Sequence, residues 1–413
     1  MEDILIIGAG VAGLAAAAEL ANAGVHATIV EARDRIGGRI YTRHDPLCPV
    51  PIELGAEFIH GVSREIFDIV QARRMLAVEV SGSHLCQHDG KLSECDDFGP
   101  VEEFLKRLDA AEEQDDQSFE SFVNASGIDD ETKQSSIGFV EGFNAARKEL
   151  VSVHALSRQQ KAEEISGGLR SFRLASGYDS IAAELYRSIS PDRCRIYLNT
   201  PIDQIGWSTE RVRAGRFISK RAIITVPLGV LKESRLRIEP EPPEFRSSIG
   251  ALEMGDAIRM VFRFRERFWD NREPLGSMSF MHAEGARDFR VWWSSMPFHA
   301  PVLTAWAGGP RADHANMAAA LDTLAALFET ERAEIESQLE AAYFHDWKAD
   351  PYSCGSYSYV RAGGLPDADR LAEPFDNTLY FAGEHTDTTG NWGTVHGAIA
   401  SGYRAARQVL ESL

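Results

Sequence analysis

Cysteine is scarce in this chain. Five residues (Cys48, Cys86, Cys95, Cys194, Cys354) are scattered through 413, odd in number and without a CxxC pair. Nothing points to a dithiol redox motif or a metal site, and the expectation is reduced thiols in a cytoplasm. Positive charge is also in short supply: 43 Lys and Arg stand against 62 Asp and Glu, a net charge of -19. Nucleic acid and anionic membrane surfaces attract basic patches, so neither is an expected partner. The acidity suits a cationic substrate, although solubility alone also accounts for it. Long apolar runs are missing too. No stretch approaches the ~20 residues of a membrane span. The start, "MEDILIIGAG", lacks the basic region of a signal peptide, and the end, "ARQVLESL", carries no expected anchor. There is no internal repeat and no long low-complexity linker.

What remains is 44% hydrophobic and 25% charged, the make-up of a globular protein with a large core. The length suits roughly two to three domains or one composite domain.

The first forty residues are the most specific. Ile4 to Ile7 form an apolar run of the kind found in a parallel strand covered on both faces. Gly8, Gly10 and Gly13 follow as GxGxxG, then helix-forming residues from Ala12 to Ala23 with Gly24 as C-cap, then a second apolar strand, Ala27 to Val30, ending in Glu31. In such a unit the first glycine permits the turn, the second lets a pyrophosphate approach the backbone, and the third lets helix and strand pack closely. The pyrophosphate rests on the helix N-terminus, which Ala12 helps form. Glu31, 18 residues after Gly13, is placed to accept hydrogen bonds from a ribose diol. After it comes "ARDRIGGRIYT", containing Ala32, Arg33, Gly38 and Arg39. A second glycine pair and an arginine so close to the ribose acid suit a longer cofactor threading past this loop.

"EARDRIGGRIYT" resembles the FAD signature of the flavin amine oxidase superfamily, which includes monoamine oxidases, polyamine oxidases, L-amino-acid oxidases and histone demethylases. The resemblance covers nearly the whole chain. It implies FAD as cofactor, with Ala32, Arg33, Gly38 and Arg39 beside it; for Arg39 the alternative is a plain surface charge. "ELGAEFIHG" is similar to a flavin-contacting strand and loop of polyamine oxidases, implying that Gly55 and Ala56 approach the isoalloxazine with Glu57 and Phe58 beside it. His60 matches a histidine lining the substrate tunnel of spermine-type enzymes; a histidine titrating near neutral pH would be useful beside an amine, and a loop-capping role is the alternative. "RIYLNTPIDQIGW" alternates as one half-buried strand, and Ile202 matches a residue whose backbone contacts adenine in relatives. "TVPLGVLK" strongly resembles a family motif in which the lysine, Lys232, belongs to a loop and not to catalysis.

Between residues 63 and 170 the chain reads as helical and polar. The acidic run Asp109 to Gln117 is a solvated face or an attractor of polyamines, and Glu141 is either a helix-surface acid or an anchor for the amine. In "GDAIRMVFRFRERFWD" the family places a lysine ten positions before the tryptophan, where it holds a water against flavin N5. Counting back from Trp269 gives Arg259. Arginine keeps the charge but is bulkier, planar and never deprotonated, which puts ordinary oxygen reactivity in question and suits a substrate carboxylate. Trp347 matches a tryptophan packed on the flavin. Ser356 stands where monoamine oxidases carry the cysteine bonded to flavin, implying noncovalent FAD. Tyr357 matches one wall of an aromatic cage for the amine. The other wall is Thr394, with Trp392 able to replace missing aromatic surface. Near the end, "LYFAG" delivers Gly383 and Glu384 toward the ribityl and pyrophosphate end of FAD. A last helix starts at Thr394 and Val395, its dipole aimed at the flavin pyrimidine.

The expected fold is α/β, a Rossmann-type FAD-binding domain (residues 1–62, 175–245 and 350–413) interleaved with an α+β substrate-binding domain (63–174 and 246–349). The implied function is polyamine-oxidase-like: a small-molecule amine gives a hydride to flavin N5, the imine is hydrolysed, and O2 reoxidises the flavin to give hydrogen peroxide. The expected catalytic residues are Arg259, Tyr357 and His60. A same-fold amino-acid oxidase, a dehydrogenase using another acceptor, and a low-turnover flavin scaffold remain as alternatives. A histone demethylase is disfavoured by the lack of a helical insertion that would form a partner-binding arm. A disulfide reductase is disfavoured by the lack of CxxC and of a second GxGxxG.

Overall fold

The computed structural model describes residues 2–88, 91–95, 99–168, 170–283 and 288–413. Two large sheets organise it. The first has eight strands. Its path runs Cys194–Tyr197, Ala27–Val30, Glu2–Ile7, Phe217–Ile224, Arg211–Ala214, Gln204–Ser208 and Arg237–Glu239, and Leu379–Phe381 joins it on Phe217–Ile224. The central pairs are parallel, with Ile4 opposite Ala27 and Arg221, and Ile7 opposite Val30 and Ile224. Ile4, Leu5 and Ile6 are fully buried, as a run covered on both faces requires.

The helix Val11–Asn22 crosses one face beside the last helix, Val395–Glu411. Their approach is close because Gly402 has no side chain: a Cβ there would stand 2.2 Å from the carbonyl oxygen of Ala12. The two ends of the chain are thereby packed together.

The second sheet has seven strands in the order Leu339–Phe344, Ala257–Phe264, Val302–Gly308, Val291–Ser294, Met278–His282, Ser83–His88 and Lys91–Glu94. It is antiparallel except between Met278–His282 and Ser83–His88. Its core gathers Phe262, Phe264, Trp269, Trp292 and Leu303, all fully buried. A helical layer that includes Phe119–Ala125, Asp130–Asn144 and Val153–Ser166 packs around Phe104, Phe119, Val123 and Val153.

Three expectations are corrected here. Cys86 and Cys95 form a disulfide, leaving Cys48, Cys194 and Cys354 free. The hairpin of Ser83–His88 and Lys91–Glu94 brings their Cα atoms to 5.0 Å, a pairing that scattered spacing does not reveal. The same hairpin, with the strand Ala77–Glu79, interrupts a region expected to be helical. Finally, "RIYLNTPIDQIGW" is two strands and not one. Asn199 is left-handed (φ 51°) and Pro201 has no N–H to give a ladder, so residues 198–203 leave the sheet.

Candidate active site

One cavity of about 1570 Å³ runs from the GxGxxG turn to the second sheet. That exceeds the ~300–1,000 Å³ of an ordinary small-ligand pocket, leaving room for a dinucleotide and a second molecule. It brings together every expected site residue except Gly13 and Glu141.

At the turn, Gly8 has φ +110°, and a Cβ on Gly13 would stand 2.1 Å from the Gly8 carbonyl oxygen. Gly13 therefore packs helix on strand and does not face the cavity. Gly10 caps the helix Val11–Asn22 with no side-chain hydrogen bond. The amides of the first turn thus open onto the cavity, lined here by Gly10, Val11 and Ala12, with the positive end of the helix dipole behind them. The glycine pair Gly37–Gly38 docks on this turn through the Gly37 N–H, which donates to Ala9 at 2.9 Å. Glu31 is buried and accepts the N–H groups of Ala9 (2.6 Å) and Arg33 (2.9 Å). Two amides on a carboxylate with several acceptor positions leave capacity for a diol. Ala32 and Ile202 line the cavity nearby.

Two ion pairs tie the middle of the groove to the C-terminal third of the chain. Arg33 pairs with Asp350 at 2.7 Å, and its guanidinium lies 5.9 Å from the Trp347 ring centre. Burial alone would raise the Asp350 pKa, but hydrogen bonds from His345 and Arg33 hold it far below the usual carboxylate range. Arg39 donates to Glu384 at 2.8 Å. Glu384 also accepts the Ser358 hydroxyl (2.6 Å) and the Gly393 N–H (2.9 Å). Its burial works against the charge, yet Arg39, His385 and the Ser358 hydroxyl together outweigh it and the pKa is lowered. Arg39 is thus no loose surface charge; its side chain is 22% exposed.

At the far end, a Cβ on Gly55 would stand 1.9 Å from the Arg39 carbonyl oxygen, so only glycine fits. Trp347 packs on Gly55 and donates its indole N–H to Leu54 at 2.8 Å. Arg259 donates to the Gly55 carbonyl at 2.7 Å, pairs with Glu57, and lies 5.3 Å from the Trp293 ring centre. Glu57 also accepts from Arg173 (2.7 Å) and the Trp293 indole (3.0 Å). Burial lowers both guanidiniums, Arg259 to about 10 and Arg173 to about 9, so both stay cationic at neutral pH. Arg259 Nε has no partner.

Beside this cluster stands an aromatic chamber. Trp306 and Tyr357 are nearly parallel (14°) with centres 6.5 Å apart. The Trp306 indole donates to Gly142 at 3.0 Å and the Tyr357 hydroxyl to Phe143 at 2.6 Å. Phe58 lies 5.6 Å from Trp293 and 6.1 Å from His60. The Ser356 hydroxyl is held by the backbone of Ala257, from which it accepts at 2.9 Å. Thr394 lines the cavity with Val395, but its hydroxyl is committed to capping the last helix, accepting from Gly397 at 3.0 Å. Trp392 is buried, 5.8 Å from the Arg158 guanidinium, and Gly383 is held by the Ser401 hydroxyl at 2.8 Å.

Two expectations change. His60 is half-buried on the cavity wall and burial pushes it down to about 4, so it is a neutral imidazole at neutral pH and not a group titrating there. Glu141 turns away from the cavity and accepts the Lys148 N–H, its pKa raised by burial. None of the run Asp109 to Gln117 lines the cavity. Asp109 instead accepts from Ser157, joining two helices, and Asp116 accepts from Ser152 at the start of the helix Val153–Ser166. Sequence reading missed Trp293, Trp306 and Arg173. The signal for Trp306 lies in pairing: it stands opposite Arg259 across two strands.

A long groove that runs from an uncapped helix N-terminus into an aromatic chamber has the shape expected of an oxidoreductase site. The chain belongs to the family described as flavin containing amine oxidoreductase, whose pattern matches residues 11–410. It is 28% identical to polyamine oxidase 4 of Oryza sativa subsp. japonica, over 98% of this chain and 88% of that one. It is 26% identical to human lysine-specific histone demethylase 2, over 99% of this chain and 53% of that one. In fold it matches a putrescine oxidase, the wild type bound to putrescine, with a TM-score of 0.83, 19% identity and 99% coverage of both chains. The protein is therefore a flavin-dependent amine oxidoreductase. Among the described residues no helix is long and apolar enough to cross a membrane.

Proposed function

We propose that this chain binds FAD without a covalent bond and oxidises a small-molecule amine to an imine, which water hydrolyses to an aldehyde or ketone, with O2 as electron acceptor and hydrogen peroxide as product. The observation that carries the reading is the aromatic chamber of Trp306, Tyr357 and Trp293 ending on Arg259 and Gly55, at the end of a groove whose other end is an uncapped helix N-terminus. The residues fit FAD: open amides at Gly10 to Ala12 for a pyrophosphate, Glu31 for a ribose, and Gly55 and Ala56 on the cavity wall for a flat ring. Bound flavin supplies the hydride acceptor.

The chain's own work is to bind and orient. Tyr357 and Trp306 present ring faces to the amine. The desolvated chamber favours the neutral amine over its cation, and the neutral form is the one able to give up a hydride. His60, itself neutral, offers a hydrogen-bond acceptor or donor without charge. Arg259 holds positive charge next to the ring site. We assign residues 1–62, 175–245 and 350–413 to the cofactor domain and 63–174 and 246–349 to the substrate domain. A cytoplasmic location is part of the same reading, with the Cys86–Cys95 disulfide as the observation weighing against it.

A second reading, a dehydrogenase using another electron acceptor, draws on one observation: Arg259 is consumed by Glu57 and Gly55, where relatives hold a water on lysine. Anaerobic mixing with an amine panel, followed by air, separates the two. Bleaching with recovery in air and peroxide release is the expected result. Bleaching without recovery would replace the oxidase by the dehydrogenase, and no bleaching by any amine would remove both.

A further inference from the structure

Arg290 lines the cavity just before the strand Val291–Ser294, and Arg311 stands behind it in the turn Gly309–Asp313. The two guanidiniums converge on one point of the helix Asp130–Asn144. From a Cβ position on Gly138, Arg290 Nη1 is 3.3 Å away and Arg311 Nη2 is 3.8 Å away. Among the described residues, neither side chain has an ion pair. The nearby acids do not serve them: Asp313 is taken by Arg147 and Lys348, and Glu141 accepts from the Lys148 amide and acts on Arg311 only through space. Two neighbouring cations without an ion-pair partner, one of them on the wall of a half-buried cavity, form an incomplete arrangement, and a bidentate anion completes it.

The same helix measures how far that anion would sit from the chamber. Gly142 and Phe143 receive the Trp306 indole and the Tyr357 hydroxyl, four and five residues beyond Gly138. At 1.5 Å per residue the guanidiniums lie about 6 Å along the axis from the aromatic pair. An α-amino acid cannot span that distance, while an amine with several methylenes between nitrogen and carboxylate can. The same cations repel the second ammonium of a diamine.

We propose that Arg290 and Arg311 form a carboxylate-recognition site, and that the preferred substrate is an ω-aminoalkanoate of about six carbons. This rests on the amine-oxidising reading above. It is tested by comparing kcat/KM of the holoenzyme for 6-aminohexanoate, hexylamine and hexane-1,6-diamine. The same comparison is made on Arg290→Gln and Arg311→Gln, with calorimetric binding of hexanoate to each protein. The expected result is a preference of about tenfold or more for 6-aminohexanoate, the worth of one hydrogen bond to a charged group. In Arg290→Gln that ratio falls to about one and hexanoate binding weakens by a similar factor. A preference for the diamine, drawn by the exposed Asp129 and Glu131 at the other end of the helix, would overturn the proposal. So would a preference for 6-aminohexanoate that survives both variants. If no amine is turned over, the failure belongs to the amine-oxidising reading, and hexanoate binding lost in Arg290→Gln still decides the site; binding equal in all three proteins refutes it.

Discussion

Arg259 and Glu57 form a buried ion pair, and the same guanidinium holds the carbonyl oxygen of Gly55, at the point where the aromatic chamber meets the cofactor groove. Lysine at this position would keep the charge but lose the fork, so Glu57 and Gly55, which separate guanidinium nitrogens hold, would have to share one ammonium nitrogen. Arg259→Lys is expected to change the rate at which reduced enzyme recovers in air by about tenfold, the worth of one charge-assisted hydrogen bond, and to change anaerobic reduction by an amine far less. Stopped-flow measurement of the two half-reactions checks this, and equal effects on both would remove the assigned role.

Glu31 closes the turn by accepting the amides of Ala9 and Arg33, and its remaining capacity faces the cavity. Glu31→Ala leaves the Ala9 and Arg33 amides unmatched and removes the carboxylate proposed to hold a ribose. The purified variant should show a lower ratio of visible flavin absorbance to protein absorbance than wild type, with Glu31→Gln in between. Full retention of flavin in Glu31→Ala contradicts the assignment.

Gly402 lets the last helix lie against the first. Gly402→Val drives a side chain into the Ala12 backbone, which cannot yield without parting the helices. A loss of about 1–3 kcal/mol is expected, together with weaker flavin retention, since Ala12 lies on the cavity. Gly250→Ala is the control: nothing lies within 4 Å of its Cβ position. Denaturant unfolding should separate the two; equal stability would refute the close-packing argument.

Stability should fall in acid. His60, His282, His385 and His396 are pushed down from 6.5 to about 4, burial being the main cause in each. Between those values the unfolded chain binds protons that the folded chain refuses, so stability is lost as pH drops through that window. Glu53 works the other way. Burial pushes it up from 4.5 to about 7, so its contribution is present below 4.5 and is lost as pH rises through 7. Four groups outweigh one, and Tm should decline from pH 6.5 to pH 4. Glu53→Gln removes the opposing term, so its Tm relative to wild type should rise between pH 5 and pH 8. A constant difference would show that Glu53 does not titrate there.

The disulfide is directly countable. Under denaturing, non-reducing conditions three thiols should react, and five after reduction, because Cys86 and Cys95 are bonded. Five before reduction would remove the bond.

Much of the groove was legible because it is local. Strand, turn, helix and Glu31 lie within about thirty residues, and their chemistry follows from glycine geometry and the orphan amides of a helix start. Polar hairpins are harder to see: Ser83–His88 and Lys91–Glu94 carry little apolar alternation, and their place at the sheet edge asks for none. Glu141 was misplaced because a loose helical pattern does not tell which face meets the cavity. For His60, the residue type was readable but its charge was not, since the shift comes from burial.

The sequence by itself determined the cofactor-binding turn, the family resemblance and the departure at Arg259, since these are written in neighbouring residues. Only the tertiary structure decided what Arg259 does. Glu57 receives Arg173 from 116 positions away and Trp293 from 236, and Gly55 receives Arg259 from 204. Ion pairing and desolvation depend on distances in space, which the order of residues along a chain does not contain.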